Sequence, residues 1–212
     1  MSATLTPEKA LIFRIVHRDN LPWILDLGLH ARNSAATDPN YRNIGNPDLI
    51  TKRSSRGVPV PPYGTLHDYI PFYFTPHSPM MYNINTGRGV SMVPPEQIVI
   101  FVSSLRRLAE LGIPFVFTNQ HAYLGDTEYF TDLNDLDRID WGILQARDFQ
   151  RDPDDPKKLS RYQAEALVWQ HIPLSAVLGI CCCNQAVLNP IQEAIDGRKL
   201  NIRALARPGW YF

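Results

Sequence analysis

The chain has 212 residues, 21 basic and 21 acidic side chains, no formal net charge, and 44% hydrophobic residues. This length and composition are ordinary for one globular domain, and they exclude general disorder and a fibrous repeat. No run approaches the roughly 20 apolar residues of a membrane helix, and the start MSATLTPEKA lacks the basic and apolar regions of a signal peptide. We therefore expect a single domain, residues 1–212, in the cytoplasm.

The first part of the chain contains two predicted strands, each followed by a short helix, with a long loop between them. The apolar run LIFRIVH, residues 11–17, predicts a buried strand; Asp19 or Asn20 can cap the following helix, and Gly28 can end it. Residues 33–66 are rich in Asn, Pro, Ser and Gly, which indicates a functional loop or short helical turns of its own. Residues 69–74 predict another strand, and Ser78 can begin a short helix.

The second part of the chain is dominated by short strands. Strands are predicted at residues 97–103, 114–118, 164–169 and 177–182 and in NIRALA, and helices at 105–111 and from Asn184 to about Ala194, ending at Gly197. The acidic segment 124–160 contains a helical turn at 137–144. Because strands outnumber long helices and the two do not alternate regularly, the pattern favours an α+β fold over a doubly wound sheet.

The common catalytic and metal-binding signatures are absent. The sequence contains no G-x-x-x-x-G-K, G-x-G-x-x-G, H-E-x-x-H or G-x-S-x-G motif. Its three cysteines, residues 181–183, are consecutive in an apolar run, and no second Cys or His cluster lies at metal-ligand spacing. We therefore expect buried, unreactive thiols and no zinc site.

Three charged residues stand out. Glu165 lies in the apolar segment QAEALV, where a buried carboxylate without a partner is costly. Either Gln163, Glu165 and Leu167 share a partly solvated face at a sheet edge, or Glu165 is a functional carboxylate. Arg53 and Arg56 are either solvated loop charges or phosphate ligands.

The segment LHDYIPFYFTPHSPMMYNI, residues 66–84, concentrates aromatic and methionine side chains at a strand end. These side chains can be ordinary core, with Met filling irregular gaps. Yet Tyr69, Tyr73 and Tyr82 carry hydroxyls that need partners when buried, and such a wall suits a flat heteroaromatic ring. His17 and Asn20 are open to a structural interpretation as well, as a satisfied histidine and a helix cap.

Taken as a set, these segments resemble the DarT family of DNA ADP-ribosyltransferase toxins, within the ADP-ribosyltransferase superfamily. The resemblance rests on FRIVHRDNLPWIL, the arginine-bearing loop before VPV, HDYIPFYFTPHSPMMY, QAEALVWQHIP and PGWYF, and it extends over residues 13–212. It implies an α+β fold with a split central sheet, short flanking helices and a long loop over NAD and DNA. It also implies transfer of ADP-ribose from NAD to a thymine base in single-stranded DNA, without a metal.

The resemblance further implies roles for single residues. Glu165 is the expected catalytic glutamate, with Arg53 as the first choice for a catalytic arginine and Arg56 as the second. The expected NAD contacts lie in the first strand and its turn and in the aromatic segment: Ile15, His17, Asn20, Leu21, Tyr73, Phe74, Ser78, Met80 and Tyr82. The expected DNA contacts are Lys52, His121 and Tyr123. Many relatives read His-Ile-Thr-His where this chain has Arg14-Ile15-Val16-His17, so the first His is absent.

The implied chemistry agrees with these residue types. Glu165 can stabilise the oxocarbenium-like cation formed when the nicotinamide–ribose bond breaks, and it can accept the proton of the thymine ring. Arg53 can favour the thymine anion, and His121 can stack on an unpaired base.

Alternative functions remain beside DNA modification. One is an ADP-ribosyltransferase with a protein or RNA acceptor, and another is an inert NAD- or nucleic-acid-binding module. The resemblance also implies that the protein is the toxin of a toxin–antitoxin system. Its expected partner is a macrodomain antitoxin that reverses the modification.

Overall fold

An eight-stranded sheet forms the centre of the protein, which a computed structural model describes for residues 5–212. The strands are β1 (Leu11–His17), β2 (Leu29–His30), β3 (Tyr69–Tyr73), β4 (Ile98–Ser104), β5 (Phe115–Thr118), β6 (Tyr129–Phe130), β7 (Glu165–Trp169), β8 (His171–Ile172), β9 (Gly179–Cys182) and β10 (Arg203–Ala206). The helices are α1 (Leu21–Leu27), α2 (Pro47–Arg53), α3 (Pro79–Thr86), α4 (Leu105–Glu110), α5 (Trp141–Ala146), α6 (Lys158–Tyr162) and α7 (Gln185–Gly197). The predicted α+β class is confirmed.

The order of strands in the main sheet is β10-β9-β4-β1-β3-β7-β5-β6, and β2 and β8 form a separate two-stranded sheet. All neighbours in the main sheet are antiparallel except β9 and β10, which are parallel. Within residues 5–212, every helix is too short or too polar to span a lipid bilayer.

The sheet is split between β1 and β3. β1 pairs with β4 along its whole length, from Leu11 to His17, and β3 pairs with β7 from Tyr69 to Tyr73. Between β1 and β3 the only paired positions are Phe13 and Tyr73. The two halves of the sheet therefore separate beyond this point, which confirms the predicted split and leaves a gap at the centre of the fold.

Some helix ends follow signals in the sequence, but the predicted cap of α1 is wrong. Asn20 stands at the N-cap position and its side chain makes no capping hydrogen bond, and the Asp19 carboxylate accepts from Arg42 instead. Gly28, at φ +85°, ends α1 in a conformation that glycine adopts at no steric cost. Ser78 accepts a hydrogen bond from the Met81 backbone N–H at 3.2 Å and begins α3. α7 begins after Asn184 as predicted, but it includes Gly197, three residues beyond the predicted last turn.

The long segment 33–66 contains a helix, as one interpretation of its sequence requires. Asn46 accepts from the Leu49 backbone N–H at 3.0 Å and Pro47 occupies the first turn, so α2 has both usual start signals. The remainder of the segment is irregular and lies against the split in the sheet, where it supplies many of the residues around a cavity.

The cysteines lie in the core, as predicted. Cys181, Cys182 and Cys183 are buried, and burial raises the pKa of each thiol above its ordinary value. No group of three His, Cys, Asp or Glu side chains within residues 5–212 has the arrangement of a metal site.

Candidate active site

A cavity of about 500 Å³ opens where β1 and β3 separate. Its volume is in the range of small-molecule sites, and its wall combines residues of β1, β3 and segment 33–66. Seven of the predicted site residues line it: Ile15, His17, Arg53, Tyr73, Met80, His121 and Glu165. The fold thus brings together side chains that are as far apart in the chain as β1 and β7.

Glu165 is buried beside this cavity and its carboxylate is fully oriented. It begins β7, which lies between β3 and β5, and only 3% of the residue is exposed, so its interpretation as an edge residue is wrong. The Ala122 backbone N–H donates to Oε1 at 3.0 Å. Arg53 Nη1 lies 3.1 Å from Oε1 and 2.9 Å from Oε2. A carboxylate with these donors has one orientation, and it lines the cavity wall.

Arg53 comes from the last turn of α2 and is 9% exposed, so its interpretation as a solvated loop charge is wrong. Its second terminal nitrogen, Nη2, is buried without a hydrogen-bond partner in the described residues. A buried guanidinium N–H without an acceptor is costly and indicates a missing partner. Arg56 lies elsewhere: its Nη2 donates to the Leu124 carbonyl at 2.6 Å, and it does not line the cavity.

Residues 119–128, here called the His121 loop, connect β5 and β6 and hold the Glu165 carboxylate. Thr118 fixes the start of this loop, because its hydroxyl donates to the Gln120 carbonyl at 2.6 Å and accepts from the Glu165 backbone N–H at 3.1 Å. Tyr129 donates to the Ala122 carbonyl from the other end of the loop. The N–H of Ala122 is therefore held in a fixed direction against Glu165.

His121 faces Glu165 from this loop. Its Nδ1 accepts from the Tyr123 backbone N–H at 3.1 Å and lies 3.6 Å from Glu165 Oε1. Burial lowers the pKa of His121 below its ordinary value of 6.5, the Glu165 charge opposes this effect, and the Arg53 charge adds to it. The neutral ring therefore carries its proton on Nε2, since Nδ1 is an acceptor.

Tyr73 stands directly opposite Glu165 in the β3–β7 pair, so both side chains project from one face of the sheet. Burial raises the pKa of the Tyr73 hydroxyl, and the Glu165 charge raises it further. The hydroxyl has only a weak contact with the Met80 sulfur, at 3.8 Å. Tyr73 therefore presents a neutral hydroxyl with unused hydrogen-bonding capacity beside the carboxylate.

Arg14 lines the cavity although the sequence analysis did not assign it a role. Its Nη1 donates to the Pro71 carbonyl at 2.8 Å and so bridges the gap between β1 and β3. Its Nε is buried with no hydrogen-bond partner in the described part of the chain. In the sequence, the one feature that indicates a functional cation here is a single arginine within the apolar strand LIFRIVH.

His17 and Asn20 are satisfied by protein partners. His17 lines the cavity, but its Nδ1 accepts from the Asp19 backbone N–H at 3.1 Å and its Nε2 donates to Gln97 Oε1 at 3.2 Å. Asn20 Nδ2 donates to the Arg42 carbonyl at 2.9 Å, and its Oδ1 accepts from the Arg42 N–H at 2.8 Å. Asn20 therefore ties segment 33–66 to the end of β1.

The remaining predicted residues lie outside the cavity wall. Phe74 is buried against Phe117 and Trp141, Ser78 caps α3, and Leu21 is in the core. Tyr82 packs against the rings of Phe149 and Phe212. Lys52 is exposed on α2, and Tyr123 is half-buried in the His121 loop. None of these side chains is among the residues around the cavity.

Comparisons with known proteins agree with this geometry. The family model described as "ssDNA thymidine ADP-ribosyltransferase, DarT" matches residues 13–212. A DNA ADP-ribosyl transferase of Escherichia coli O127:H6 is 58% identical over 100% of this chain and 97% of its own length, and one of Thermus sp. is 36% identical over 97% and 98%.

Solved structures of the Thermus protein are also similar. "Thermus sp. 2.9 DarT in complex with ADP-ribosylated ssDNA" has a TM-score of 0.90 at 33% identity and covers 100% of both chains. The same protein "in complex with NAD+" has a TM-score of 0.84 at 34% identity, over 97% of this chain and 99% of the other. The sequence match over most of the chain and the shared architecture lead to one conclusion: the chain belongs to the DarT family of single-stranded DNA thymidine ADP-ribosyltransferases.

Proposed function

We propose that the cavity binds NAD and that the protein transfers ADP-ribose from NAD to a thymine base in single-stranded DNA, releasing nicotinamide. The observation that carries this proposal is the buried Glu165 carboxylate, fixed by Arg53 and the Ala122 N–H beside a cavity of ligand size. The similar Thermus structures, one with NAD+ and one with ADP-ribosylated single-stranded DNA, support both substrates. As a member of its family, the protein is an NAD-dependent DNA ADP-ribosyltransferase.

NAD would lie in the split between β1 and β3. Ile15 and His17 border it on one side, and Tyr73 and Met80 on the other. We assign the NAD pyrophosphate to Arg14, because it is a cation in the cavity wall whose hydrogen bond goes to the neutral Pro71 carbonyl rather than to a carboxylate. The other predicted NAD residues act from behind the wall by fixing its shape: Asn20, Leu21, Phe74, Ser78 and Tyr82.

Glu165 would stabilise the charge that develops on the ribose. The bond between C1′ and the nicotinamide nitrogen breaks with its electron pair leaving on nicotinamide, so positive charge builds up on the sugar before the new bond forms. A carboxylate oriented in advance by Arg53 and Ala122 needs no rearrangement to stabilise this cation. The same carboxylate is the candidate base that accepts the proton lost from the thymine ring nitrogen.

Arg53 and His121 would receive the thymine. Arg53 lines the cavity beside Glu165, so its positive charge can favour the thymine ring anion that attacks C1′. Neutral His121 can stack on the base or donate from Nε2. We assign the catalytic role to Arg53 rather than Arg56, since Arg53 contacts Glu165 and Arg56 binds the His121 loop instead.

The DNA strand would leave the cavity past the His121 loop and α2. Exposed Lys52 can neutralise a backbone phosphate there, and half-buried Tyr123 can contact a base or sugar. These two residues lie outside the cavity, so we expect them to affect DNA affinity more than the chemical step.

Family membership also motivates a proposal about biological context. We infer that the protein is the toxin of a toxin–antitoxin pair and that a macrodomain antitoxin removes the modification. We place it in the cytoplasm, where both NAD and DNA are present. Reversal of the DNA modification by a purified macrodomain protein, followed by mass spectrometry, tests the partner.

The enzymatic proposal is tested by incubating the protein with NAD and short single-stranded DNAs that contain or lack thymine. We expect an added ADP-ribose mass on thymine-containing strands alone. Glu165→Gln should reduce the rate by roughly 100-fold or more and retain NAD binding. The matched control, Glu110→Gln, changes an exposed carboxylate on α4 and should act like the wild type. Consumption of NAD without DNA modification would favour a protein or RNA acceptor, and intact NAD would favour a binding module.

A further inference from the structure

A rigid loop lies beside the His121 loop of the candidate active site. This Tyr63 loop, residues 57–65, is closed at its base by a bridge between Gly57 and Thr65 and by a hydrogen bond from the Val58 N–H to the Gly64 carbonyl at 2.9 Å. Prolines occupy three of its positions: Pro59, Pro61 and Pro62. Because proline fixes its own φ angle, the loop has little conformational freedom to lose when it binds a ligand.

Tyr63 is displayed at the tip of this loop in an unfavourable conformation. It is 57% exposed, and its φ angle of +66° is one that a bulky side chain rarely adopts. Surrounding contacts hold it there: its N–H donates to the Val60 carbonyl at 2.8 Å, and its carbonyl accepts from the Tyr69 hydroxyl at 2.6 Å. Burial of the Tyr63 side chain does not offset this backbone strain, since more than half of the residue is exposed to solvent.

The next position also fixes Tyr63. Gly64 has a φ angle of +79°, and a Cβ atom there would lie 2.8 Å from Asp68 Oδ2 and 3.2 Å from the Trp169 ring. The side chains of Asp68 and Trp169 therefore leave no room for a larger residue at position 64. Residues outside the loop therefore help to fix the orientation of Tyr63.

The Tyr63 loop is continuous with the active site. Arg56, at its base, donates to the Leu124 carbonyl of the His121 loop. Val58 and Ala122 belong to one small buried cluster, and Val60 and Tyr123 pack on it from the two loops. A Cβ atom on Gly64 would lie 3.2 Å from the ring of Trp169, which ends the strand that begins with Glu165. Glu165 and Trp169 are about 13 Å apart at ~3.3 Å per strand residue. Tyr63 does not line the cavity, so its position suits a nucleotide next to the modified base rather than the modified base itself.

The charges around the loop fit a nucleic-acid strand. Lys52 and Arg56 precede it in the chain and are cationic. The nearby Asp68 carboxylate is engaged, because its Oδ2 accepts from the Thr65 N–H at 2.7 Å and from the Thr65 hydroxyl at 2.9 Å. An exposed aromatic ring is the usual stacking platform for an unpaired base, and Arg56 at the base of the loop supplies positive charge.

We propose that Tyr63 stacks on a base of the acceptor strand that flanks the modified thymine. This inference rests on the proposed function and adds a DNA contact outside the cavity to those proposed for Lys52 and Tyr123. Because every base has an aromatic face, the contact requires a base at that position but tolerates any of the four. It anchors the strand so that the thymine enters the cavity next to Glu165 and Arg53.

Tyr63→Gly is the variant that separates binding from folding. Glycine is unstrained at φ +66°, so we expect the thermal unfolding midpoint of this variant to be no lower than that of the wild type. Its kcat/KM for a single-thymine oligonucleotide should fall by about 5- to 150-fold, the effect of one lost base–aromatic contact. Tyr63→Phe, which keeps the ring, should retain most of the activity, and NAD affinity should be unchanged in both.

An abasic scan of the oligonucleotide locates the contact. Single abasic sites are placed at each position on either side of the thymine, and the ratio of wild-type to Tyr63→Gly kcat/KM is measured for each strand. We expect this ratio to approach one at a single flanking position and to stay high at the others. An equal ratio at all positions, or unchanged DNA kinetics in Tyr63→Gly, would overturn the inference. A Tyr63→Gly variant that lost only the binding of a partner protein would also overturn the inference. A wild-type protein that modifies no DNA would instead refute the proposed function.

Discussion

At the scale of single residues, the ion pair between Arg53 and Glu165 affects stability as well as catalysis. Both groups are almost fully buried, so each one's removal leaves the other as an unpaired buried charge. Arg53→Ala should therefore destabilise the protein by about 3–5 kcal/mol. In the double variant Arg53→Met/Glu165→Leu, apolar side chains replace both charges, and it should be more stable than Arg53→Ala while being inactive. Urea titrations measure the free energy of unfolding of each variant. A double variant that is less stable than Arg53→Ala would contradict the prediction.

His121 gives the site a dependence on pH. Its pKa in the folded state is lowered by burial, so between that pKa and the ordinary value of 6.5 the unfolded chain binds a proton that the folded protein does not. The free energy of unfolding should therefore decrease as the pH falls below 6.5. His121→Asn should show a smaller decrease than the wild type in urea titrations from pH 7 downward. An equal decrease in both proteins would assign the effect to other histidines, such as His30 and His77, whose pKa values burial also lowers.

Arg14 can be tested by the ligands that it distinguishes. If it binds the pyrophosphate, Arg14→Ala should weaken NAD and ADP-ribose binding by about 10-fold or more, because a hydrogen bond to a charged group is lost. Inhibition by nicotinamide, which has no phosphate, should change little. Arg203→Ala, an exposed arginine on β10, serves as the control in the same calorimetric titrations. Equal losses for nicotinamide and ADP-ribose would show that Arg14 only sets the width of the split.

At the scale of elements, Asn20 and segment 33–66 form one functional unit. The two hydrogen bonds between Asn20 and the Arg42 backbone attach this segment to the end of β1. Asn20→Ala should therefore raise KM for NAD by about 5-fold or more, at ~1 kcal/mol per hydrogen bond, and increase amide hydrogen exchange around residues 38–46. The control is Asn189→Ala, which removes an exposed hydrogen bond on α7. Unchanged exchange in the segment would mean that other contacts hold it.

Among the elements, the sequence predicts the long strands but not the shortest ones. Apolar runs such as LIFRIVH and the segment before Pro173 identified the long strands, because their periodicity is local. Two-residue strands such as β2, β6 and β8 have no period, so nothing in the sequence indicates them. The sequence also does not reveal the partners of Glu165. Arg53 is 112 positions away in the chain, and the Ala122 donor is a backbone N–H that any residue except proline provides. Only the order of strands brings these groups together.

At the scale of the whole molecule, the sheet interleaves distant parts of the chain. β1 lies between β4 and β3, and β7, which carries Glu165, pairs with β3 on one side and β5 on the other. β10, the last strand, pairs with β9, which in turn pairs with β4. No continuous segment can leave this sheet without breaking pairs on the strands that remain. The split that forms the cavity proposed to bind NAD therefore depends on both halves being folded.

This interleaving predicts that residues 5–212 unfold cooperatively as one domain. Tryptophan fluorescence and far-UV circular dichroism should report the same urea midpoint, because the strand pairs couple the two halves of the sheet. Saturating NAD should raise that midpoint equally for both signals, since a ligand held between β1 and β3 stabilises the two halves together. Trp169 in β7 and Trp210 in the turn after β10 give fluorescence probes in different elements. Two separated midpoints, or a shift of only one of them with NAD, would show that the halves of the sheet fold as independent units.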